Sequence, residues 1–453
     1  MAHGIIPDEH KWRYFFHMTD IDNLESILKY GLLCTNKKNS LGIEHVNIAN
    51  SAIQERRSEM RVPCSPQGVV HDYVPFYFTS RSPMLLGQLN AKNCDQPLII
   101  YLCLKIEKLL CPNVIFTDAS ANTIQQPNFY DDVGAMPNLS WDLIDAYRWK
   151  YEEMEIHKKM AEVLIYQSVP VEEIDAIIVY NDDAKAYVKE ILRKHNYDKI
   201  RVCFDYELNN RYHCYYTKFQ SYDPCHRLDT LVHGPRFIQW AYENMQNNVK
   251  EGKKKKSIKT YQYHNINELL NAIHFDFCVL KELAGIWNLE TSNEVHHCTV
   301  SDHTMDVVRQ IKQLSYFRNT DKHRQELLEL SAYLHDIGKG PHEKWENGIQ
   351  QPYPDHPYDA IGMLERIFIE EVEFVSEEDV RIIGLLVAYH DIIGDSISGN
   401  RNIEALKSVL KSKDDFDMLA CLSEADIKSV DLGWWVNFNM RLNDIRVKLF
   451  PHE

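Results

Sequence analysis

The clearest candidates for chemistry in this chain are two histidines and two aspartates in its C-terminal part. His335 and Asp336 are adjacent, at the end of an apolar predicted helix that stops at Gly338. His303 opens an earlier predicted helix, and Asp426 lies near the end of a later one. A buried carboxylate beside an imidazole is costly unless a cation compensates it, and mixed nitrogen and oxygen ligands suit Mn, Fe, Zn or Mg. These four residues therefore predict a divalent metal site with positions left open for water and phosphate.

The same four residues resemble the HD-domain phosphohydrolase superfamily, whose pattern H…HD…D they match within about residues 290–430. Many relatives carry two further histidines, and His356 and His390 fall where those would be. The resemblance implies that these two either bind a second metal, which would help to clamp a phosphoester, or supply a general acid. It also implies that Lys339 lies near the phosphate as a point charge.

A second polar cluster lies within residues 1–170 and contains no metal-binding set. It comprises His17 and Thr19 at a strand end, Arg57 in a polar helix, Arg81 after an aromatic strand, and Glu162 at the start of a strand. Strand ends beside a helix N-terminus are well placed to bind an anionic or dinucleotide ligand. The sequence has neither the GxGxxG fingerprint nor the P-loop motif, which argues against Rossmann dehydrogenases and P-loop NTPases.

Five blocks of this N-terminal part resemble the DarT family, in order and with compatible spacing, over roughly residues 8–208. DarT enzymes are NAD-dependent ADP-ribosyltransferases that modify a base in single-stranded DNA and act as toxins. The resemblance implies an α+β ADP-ribosyltransferase-like fold, NAD as co-substrate and single-stranded DNA as partner. The blocks are His17–Leu24, Ile53–Arg57, Gly68–Phe78 with Arg81–Leu85, Phe116–Asp118, and Ala161–Ile165.

Carried over residue by residue, the resemblance assigns roles to individual positions. Arg57 and Glu162 would be catalytic, the region of about 39–57 would close over NAD, and the loop 116–162 would present the DNA base. The other NAD-binding residues would be His17, Thr19, Ser26 and Cys34, and the DNA-binding residues would be Arg81, Ser120 and Asn122.

The chemistry of the transfer favours one division of labour within the catalytic pair. Breaking the nicotinamide–ribose bond passes through an oxocarbenium-like state, so a carboxylate at the ribose stabilises the developing positive charge, and Glu162 fits that role. A guanidinium stays protonated in proteins, so it has no lone pair with which to accept a proton as a general base. We therefore expect Arg57 to orient NAD and to stabilise the deprotonated base, with proton removal shared with water or Glu162.

The target base and the overall function keep alternatives open. Thymine is the family default, but Ala-Ser-Ala-Asn122 follows Asp118 where relatives often place His or Gly-Asn, so guanine is the alternative. The expectation is a transferase fused to an HD phosphohydrolase, in a toxin or phage-defence setting with an antitoxin protein that reverses the modification. The HD unit would either hydrolyse a nucleotide or restrain the transferase. In a second interpretation only the HD domain is active and the N-terminal part is an NAD- or DNA-binding regulatory module. In a third, both sites only bind ligands.

The elements that must position these residues differ between the two halves. The first 210 residues alternate strand-like and helix-like segments, with strands predicted at Tyr73–Thr79, Leu98–Ile106, Ala161–Gln167, Ile174–Tyr180 and Ile200–Tyr206. From residue 265 onward nearly every segment has helical period, which predicts an all-α domain. We expect domains at 1–210 and 263–453, joined by a connector at 211–262 that includes an exposed, lysine-rich linker at 250–256.

Composition limits the class of protein and locates its charge. The 453 residues carry a formal net charge of −16, but residues 1–260 hold 32 Lys/Arg against 33 Asp/Glu, while residues 261–453 hold 18 against 33. The near-neutral net charge of residues 1–260 is compatible with DNA binding. Eleven cysteines without a CxxC pair, and no visible secretory signal, favour a cytoplasmic protein. The longest apolar runs fall far short of the roughly 20 residues of a membrane helix, so no membrane partner is expected.

Overall fold

The computed structural model describes residues 4–48, 51–121, 126–150, 152–217, 231–255, 260–292, 298–399 and 401–451. The chain divides into two compact units, one of residues 1–90 and 94–231 and the other of residues 91–93 and 232–453. The expected domain boundaries at 210 and 262 stay predictions. None of the described helices is long and apolar enough to cross a membrane.

The first unit is built on a mixed sheet, as its alternating pattern predicts. Its strands are β1 (Tyr14–Asp20), β2 (Leu32–Leu33), β3 (Tyr73–Tyr77), β4 (Ile99–Lys105), β5 (Val114–Thr117), β6 (Phe129–Tyr130), β7 (Glu162–Tyr166), β8 (Ser168–Val169), β9 (Ala176–Ile178) and β10 (Arg201–Cys203). Among the described residues, eight of these form one sheet in the order β10-β9-β4-β1-β3-β7-β5-β6. β9 and β10 run parallel, the other neighbouring strands of this sheet are antiparallel, and β2 pairs with β8.

The position of β4 in the middle of this sheet follows from its sequence. Every residue from Ile99 to Leu104 is buried, so both faces of the strand are covered, which explains why its apolar residues run on without alternation. The five strands predicted from the sequence are all present, with shorter bounds.

Short helices connect these strands. They are α1 (Leu24–Tyr30), α2 (Thr35–Ser40), α3 (Ser51–Glu59), α4 (Pro83–Asn90), α5 (Trp141–Asp145), α6 (Glu153–Lys159), α7 (Asp182–Lys194) and α8 (Asp205–Leu208). The predicted base-presenting loop 116–162 is therefore not uniformly irregular, because β6, α5 and α6 lie within it. Its structure brings α6 back to the start of β7, where Glu162 lies.

In its described residues the second unit is helical, as predicted, apart from one pair of two-residue strands. These strands are β11 (Glu290–Thr291) and β12 (Ile349–Gln350). The helices are α9 (Pro235–Lys255), α10 (Ile266–Phe275), α11 (Lys281–Ile286), α12 (Val300–Ile311), α13 (Ser315–Asn319), α14 (Lys322–Leu334), α15 (His356–Glu370), α16 (Glu377–Tyr389), α17 (Ile392–Ile397), α18 (Lys413–Val430) and α19 (Leu432–Leu449).

The lysine-rich linker expected at 250–256 is wrong for its described residues, because they complete helix α9. Apolar residues of this helix recur at helical spacing and are buried in the core of the second unit, against α15 and α16. Lys253 is partly buried and donates hydrogen bonds to the main-chain oxygens of Val372 and Glu373. Long lysine stems can cover apolar surface while their ammonium groups reach polar partners, so the charge run ends a helix here. Lys256 lies outside the described residues.

The helix ends of the second unit meet at one place. α12 packs against α14 and α18, and α16 packs against α14 and α15. His335 and His390 directly follow the last residues of α14 and α16, and His356 is the first residue of α15. Thr299 fixes the start of α12, since its hydroxyl accepts a hydrogen bond from the Asp302 amide. The fold thus brings together several histidines that are far apart in sequence.

Candidate functional site

In the first unit, Arg57 of α3 and Glu162 of β7 form a buried, bidentate ion pair. The distances are 2.8 Å from Nη1 to Oε1 and 2.9 Å from Nη2 to Oε2. The Glu162 side chain is fully buried and that of Arg57 is 7% exposed. Burial alone would lower the pKa of Arg57, but the carboxylate of Glu162 raises it above its ordinary value. Arg57 is therefore a permanent cation that cannot accept a proton.

The loop after β5 holds Glu162 from the other side. The Ala121 amide donates to Glu162 Oε1 at 2.7 Å, and the Glu162 amide donates to the Thr117 hydroxyl at 3.1 Å. The carbonyl oxygen of Ala121 lies 3.4 Å from Arg57 Nη1. The carboxylate consequently has one orientation, fixed by both a cation and a main-chain donor.

A cleft of about 560 Å³ is lined by Arg57 together with many of the predicted ligand-binding residues, whereas the fully buried Glu162 is not among its lining residues. His17, Thr19, Ser26 and Ser120 line it. A cleft of this volume is within the usual range for small-molecule and cofactor sites. The structure thus brings these residues to one concave surface.

Two of these lining residues are held in defined states. His17 Nδ1 donates to the Pro75 carbonyl oxygen at 2.7 Å, which leaves its Nε2 as an acceptor. Burial lowers the pKa of His17 to about 4, so the ring is neutral at physiological pH. The Thr19 hydroxyl accepts from the Asn23 amide group, and Asn23 also makes two hydrogen bonds to the main chain of Val46. Sequence reasoning missed Asn23, whose side chain ties the segment around Val46 to the cleft.

Two predicted residues are placed differently, and a third is not described. Cys34 caps α2, accepting from the Lys37 amide, and does not line the cleft. Arg81 lies over the rings of Tyr147 and Tyr216 and donates to the Tyr215 carbonyl oxygen at 2.8 Å, so its guanidinium already has protein partners. Asn122 lies outside the described residues.

In the second unit, four histidines and one aspartate, all of them predicted from the sequence, lie close together. His303, His335 and Asp336 offer ligand atoms within 4.8 Å of one another, and so do Asp336, His356 and His390. Asp336 belongs to both groups, and its Oδ1 lies 3.2 Å from His356 Nε2. The geometry therefore accommodates two adjacent cations that share one carboxylate.

Asp426 completes the first of these groups. Its Oδ1 lies 3.0 Å from His303 Nε2 and 3.9 Å from His335 Nε2. Ser429 donates its hydroxyl proton to the Asp426 carbonyl oxygen, so its oxygen accepts from His303 Nδ1 at 3.0 Å. His303 Nδ1 thus carries the ring hydrogen, and its Nε2 is left as a lone pair facing the carboxylates.

The same hydrogen-bonding logic applies to the other histidines of the cluster. In each, Nδ1 lies 2.8 Å from a main-chain carbonyl oxygen, which can only accept, so Nδ1 carries the hydrogen and Nε2 is a lone pair. Histidines that bind metals usually donate their other ring hydrogen in this way. The pairs are His335 with Ala332, His356 with Tyr353, and His390 with Val387.

Lone pairs therefore face lone pairs inside the cluster. His356 Nε2 and His390 Nε2 are 3.2 Å apart, and neither carries a hydrogen in the neutral state. His335 Nε2 and Asp336 Oδ1 are buried without a hydrogen-bond donor. Burial lowers the pKa of both His356 and His390, so protonation is disfavoured there. These nitrogen and oxygen atoms are suitable ligands for divalent cations, whose positive charge would compensate all of them at once.

Lys339 lies at the edge of this cluster. Its ammonium group is 2.7 Å from Asp336 Oδ2. Burial would raise the pKa of Asp336, but the Lys339 ammonium group holds it well below its ordinary value. The carboxylate is consequently ionised, which a metal ligand must be.

The comparisons with known proteins agree with this division. Residues 16–213 match the family model described as "ssDNA thymidine ADP-ribosyltransferase, DarT", and residues 300–419 match the HD domain model. The fold, the sites and these matches define a chain with a DNA ADP-ribosyltransferase-type unit and an HD-type helical unit.

Individual relatives make the assignment specific. The chain is 34% identical over 185 residues to the DNA ADP-ribosyl transferase of Thermus sp. (strain 2.9), covering 40% of this chain and 87% of that protein. A Thermus sp. 2.9 DarT structure in complex with ADP-ribosylated ssDNA is 31% identical, with a TM-score of 0.40, covering 47% of this chain and all of that one. A bifunctional uridylyltransferase/uridylyl-removing enzyme of Cereibacter sphaeroides is 25% identical over 167 residues, covering 33% of this chain and 16% of that protein. On the first of these matches, the chain belongs to the DarT family of DNA ADP-ribosyl transferases.

Proposed function

We propose that the first unit transfers ADP-ribose from NAD to a thymine base in single-stranded DNA. The observation that carries this proposal is the buried Arg57–Glu162 pair beneath a cleft large enough for a dinucleotide. Family membership supports it, because the matching family model is described as an ssDNA thymidine ADP-ribosyltransferase. Guanine stays the alternative target, since Asn122 and its neighbours in the base-presenting loop lie outside the described residues.

In this proposal, Glu162 stabilises the positive charge that develops on the nicotinamide ribose as the bond to nicotinamide breaks. A fixed, buried carboxylate is effective because it needs no reorganisation during the reaction. Arg57 keeps that carboxylate oriented, and it offers a positive charge to the cleft. His17 and Thr19 would contact the nicotinamide end of NAD, with Ser26 lining the same cleft.

The transferase proposal is tested by incubating the full chain with NAD and a mixed-sequence single-stranded oligonucleotide and measuring the oligonucleotide's mass. We expect a gain of one ADP-ribose unit, which disappears in Glu162→Ala. Glu173→Ala is a matched control, since Glu173 lies outside the cleft in an ion pair with Lys108. The proposal would be refuted if every oligonucleotide sequence tested kept its original mass.

We further propose that the second unit is a metal-dependent phosphohydrolase whose substrate is a nucleotide. The observation that favours it is the paired ligand set around Asp336, in which buried acceptors lack donors. A bound divalent cation would act there as a Lewis acid on a phosphoester. His303, His335, Asp336 and Asp426 would hold one cation, and Asp336 would share a second with His356 and His390. Lys339 would attract the phosphate while keeping Asp336 ionised.

The metal content of the purified protein is the first test of this second proposal. We expect the purified chain to carry a transition metal or magnesium, measured by elemental analysis, and His335→Ala and Asp336→Ala to lose most of it. His342→Ala is the control, because His342 lies outside the cluster and bonds to the Trp287 carbonyl oxygen. Unchanged metal in the two cluster variants would refute the site.

The biological setting extends these proposals. We propose a toxin or phage-defence enzyme, opposed by an antitoxin protein that removes the modification. The competing interpretation makes the second unit the only active one and reduces the first to an NAD- or DNA-binding regulatory module. The oligonucleotide assay separates the two, since a regulatory module would bind NAD without modifying DNA.

A further inference from the structure

The cleft of the first unit is lined by cations and by no acidic residue, as far as the described part of the chain shows. Its two cationic side chains are Lys38 and Arg57, and neither Asp nor Glu is among its described lining residues. The charge of Arg57 is already compensated by the buried carboxylate of Glu162. A cleft lined in this way attracts an anionic ligand.

Lys38, on α2, differs from Arg57 in its partner. Its Nζ donates to His45 Nε2 at 2.7 Å, so its acceptor is an uncharged ring nitrogen. Burial lowers the pKa of Lys38, and no carboxylate of the described residues opposes that effect. Asp72 is engaged elsewhere, since it accepts from Asn36 and from the Val69 amide and does not line the cleft. A partly buried ammonium group without a counter-charge is suited to binding an anion.

The charge of Lys38 acts on the interior of the cleft. Burial lowers the pKa of three histidines that line it, and the ammonium group of Lys38 adds to this effect at each of them; they are His17, His45 and His71. At His71 the charge of Arg57 contributes as well. The Lys38 ammonium group is therefore within electrostatic reach of the same ring as the catalytic arginine.

NAD has one segment whose chemistry fits this group. Its pyrophosphate carries two negative charges, whereas positive charge develops on its nicotinamide ribose during transfer. A charged phosphate oxygen is a stronger hydrogen-bond acceptor than a neutral imidazole, and lysine binds phosphate as a point charge. The buried carboxylate of Glu162 suits the ribose, and the ammonium group of Lys38 suits the pyrophosphate.

We propose that Lys38 binds the pyrophosphate of NAD, an inference that rests on the transferase function proposed above. Its ammonium group exchanges the His45 ring for a pyrophosphate oxygen. Lys38 takes no part in the bonds that form and break at the ribose, so it sets the affinity for NAD and the KM but not kcat.

The test measures NAD binding to the full chain by calorimetry, in the absence of DNA. We expect Lys38→Met to weaken binding by about 10–100-fold, the loss that corresponds to one charge-assisted hydrogen bond, and Lys38→Arg to stay within about threefold of the wild type. Lys37→Met is the matched control and should bind as the wild type does. Lys37 is the preceding residue of α2, but its Nζ lies 3.4 Å from the Ser168 hydroxyl and it does not line the cleft.

Salt dependence provides a readout that a merely structural role would not change. Raising the salt concentration from about 0.05 to about 0.5 M should weaken NAD binding by the wild type more than by Lys38→Met, because salt screens the contact that the variant lacks. In steady-state modification of an oligonucleotide, Lys38→Met should raise the KM for NAD and leave kcat within about twofold of the wild type.

The outcomes separate this inference from the proposal on which it rests. Unchanged NAD affinity in Lys38→Met, or equal losses in Lys38→Met and Lys38→Arg, would overturn the role of Lys38. A wild type that binds NAD but modifies no oligonucleotide would refute the transferase proposal, while the affinities of the variants would still decide the role of Lys38.

Discussion

At the scale of single residues, the two sites solve the problem of buried charge in opposite ways. Arg57 and Glu162 compensate each other, so that site is complete within the protein. Around Asp336, lone pairs and carboxylates face one another without enough donors, an arrangement that could hold a metal ion. The first arrangement is suited to stabilising charge on a substrate, and the second to holding metal.

Replacing one member of the Arg57–Glu162 ion pair should lower the stability of the protein, whereas replacing both members with apolar residues should not. We expect Arg57→Ala to lower the free energy of unfolding by about 3–5 kcal/mol, because it leaves the Glu162 carboxylate buried and unpaired. The double variant Arg57→Met, Glu162→Leu should recover most of that loss while remaining unable to modify DNA. Urea unfolding checks both. A single variant as stable as the wild type would show that Glu162 is not buried as described.

His17 should make the first unit sensitive to acid. Its pKa is about 4 in the folded protein and about 6.5 when unfolded. The unfolded chain therefore binds more protons between these values, and stability present above pH 6.5 is lost as the pH falls toward 4. His17→Gln should flatten this part of the profile of unfolding free energy against pH. An unchanged slope would contradict the burial of a neutral ring.

Sequence reasoning identified residues whose type and motif indicate chemistry, and it missed residues whose role depends on contacts across the fold. Arg57, Glu162 and the histidine–aspartate set stood in recognisable blocks, and the structure brings them together as pairs and triads. Asn23 lies in the first block but was not singled out, because its contacts with Val46 are visible only in the fold. Cys34 shows the reverse error, since the family resemblance assigned it to NAD binding but its thiol caps a helix.

At the scale of elements, short helices and helix ends do most of the positioning. Both His335 and His390 directly follow helix ends, where their Nδ1 atoms bond to carbonyl oxygens of the preceding turn. The periodicity of α14 and α16 was readable from their apolar residues. The short elements within residues 116–162 were not, because a helix such as α5 has too few residues to show a period and depends on tertiary contacts.

Lys159 supplies one such tertiary contact. Its ammonium group is buried at the end of α6 and donates to the carbonyl oxygens of Leu143, Ile144 and Ala146, at 2.8–3.1 Å. Burial lowers its pKa to about 8, against the opposing effect of the Asp145 carboxylate, and the three carbonyl oxygens satisfy the hydrogen-bond donors of the ammonium group.

Removing that ammonium group should loosen the segment around α5. We expect Lys159→Met to lower the free energy of unfolding by on the order of 3 kcal/mol, since three buried carbonyls lose their donor. Amide hydrogen exchange should accelerate across residues 141–149. The exposed neighbour provides the control, as Lys158→Met should change neither quantity. Unaltered exchange in Lys159→Met would mean that α5 is held by packing alone.

At the scale of the whole molecule, charge and chemistry are divided in the same way. Residues 261–453 carry the acidic excess and the metal-type cluster, while residues 1–260 are nearly neutral and contain the arginine–glutamate site. Counting charge along the chain predicted this division. It did not predict that the lysine run belongs to helix α9, because the apolar positions of that helix had to be seen packed against α15 and α16.

Metal removal should destabilise one unit and spare the other. Scanning calorimetry of the full chain should resolve two transitions, and a chelator should lower the melting temperature of only one, because a ligand bound to the folded state stabilises that state alone. Asp336→Asn should abolish the response to chelator. Equal shifts in both transitions, or none, would contradict a cation held by the second unit.

The central claim is that this chain attaches ADP-ribose to a DNA base through the site of Arg57 and Glu162. The most direct measurement is to digest the oligonucleotide to nucleosides after reaction with NAD and to identify the modified nucleoside by mass spectrometry. We predict ADP-ribosylated thymidine from the wild type and none from Glu162→Gln. Four unmodified nucleosides from the wild type, or equal modification by Glu162→Gln, would contradict the claim.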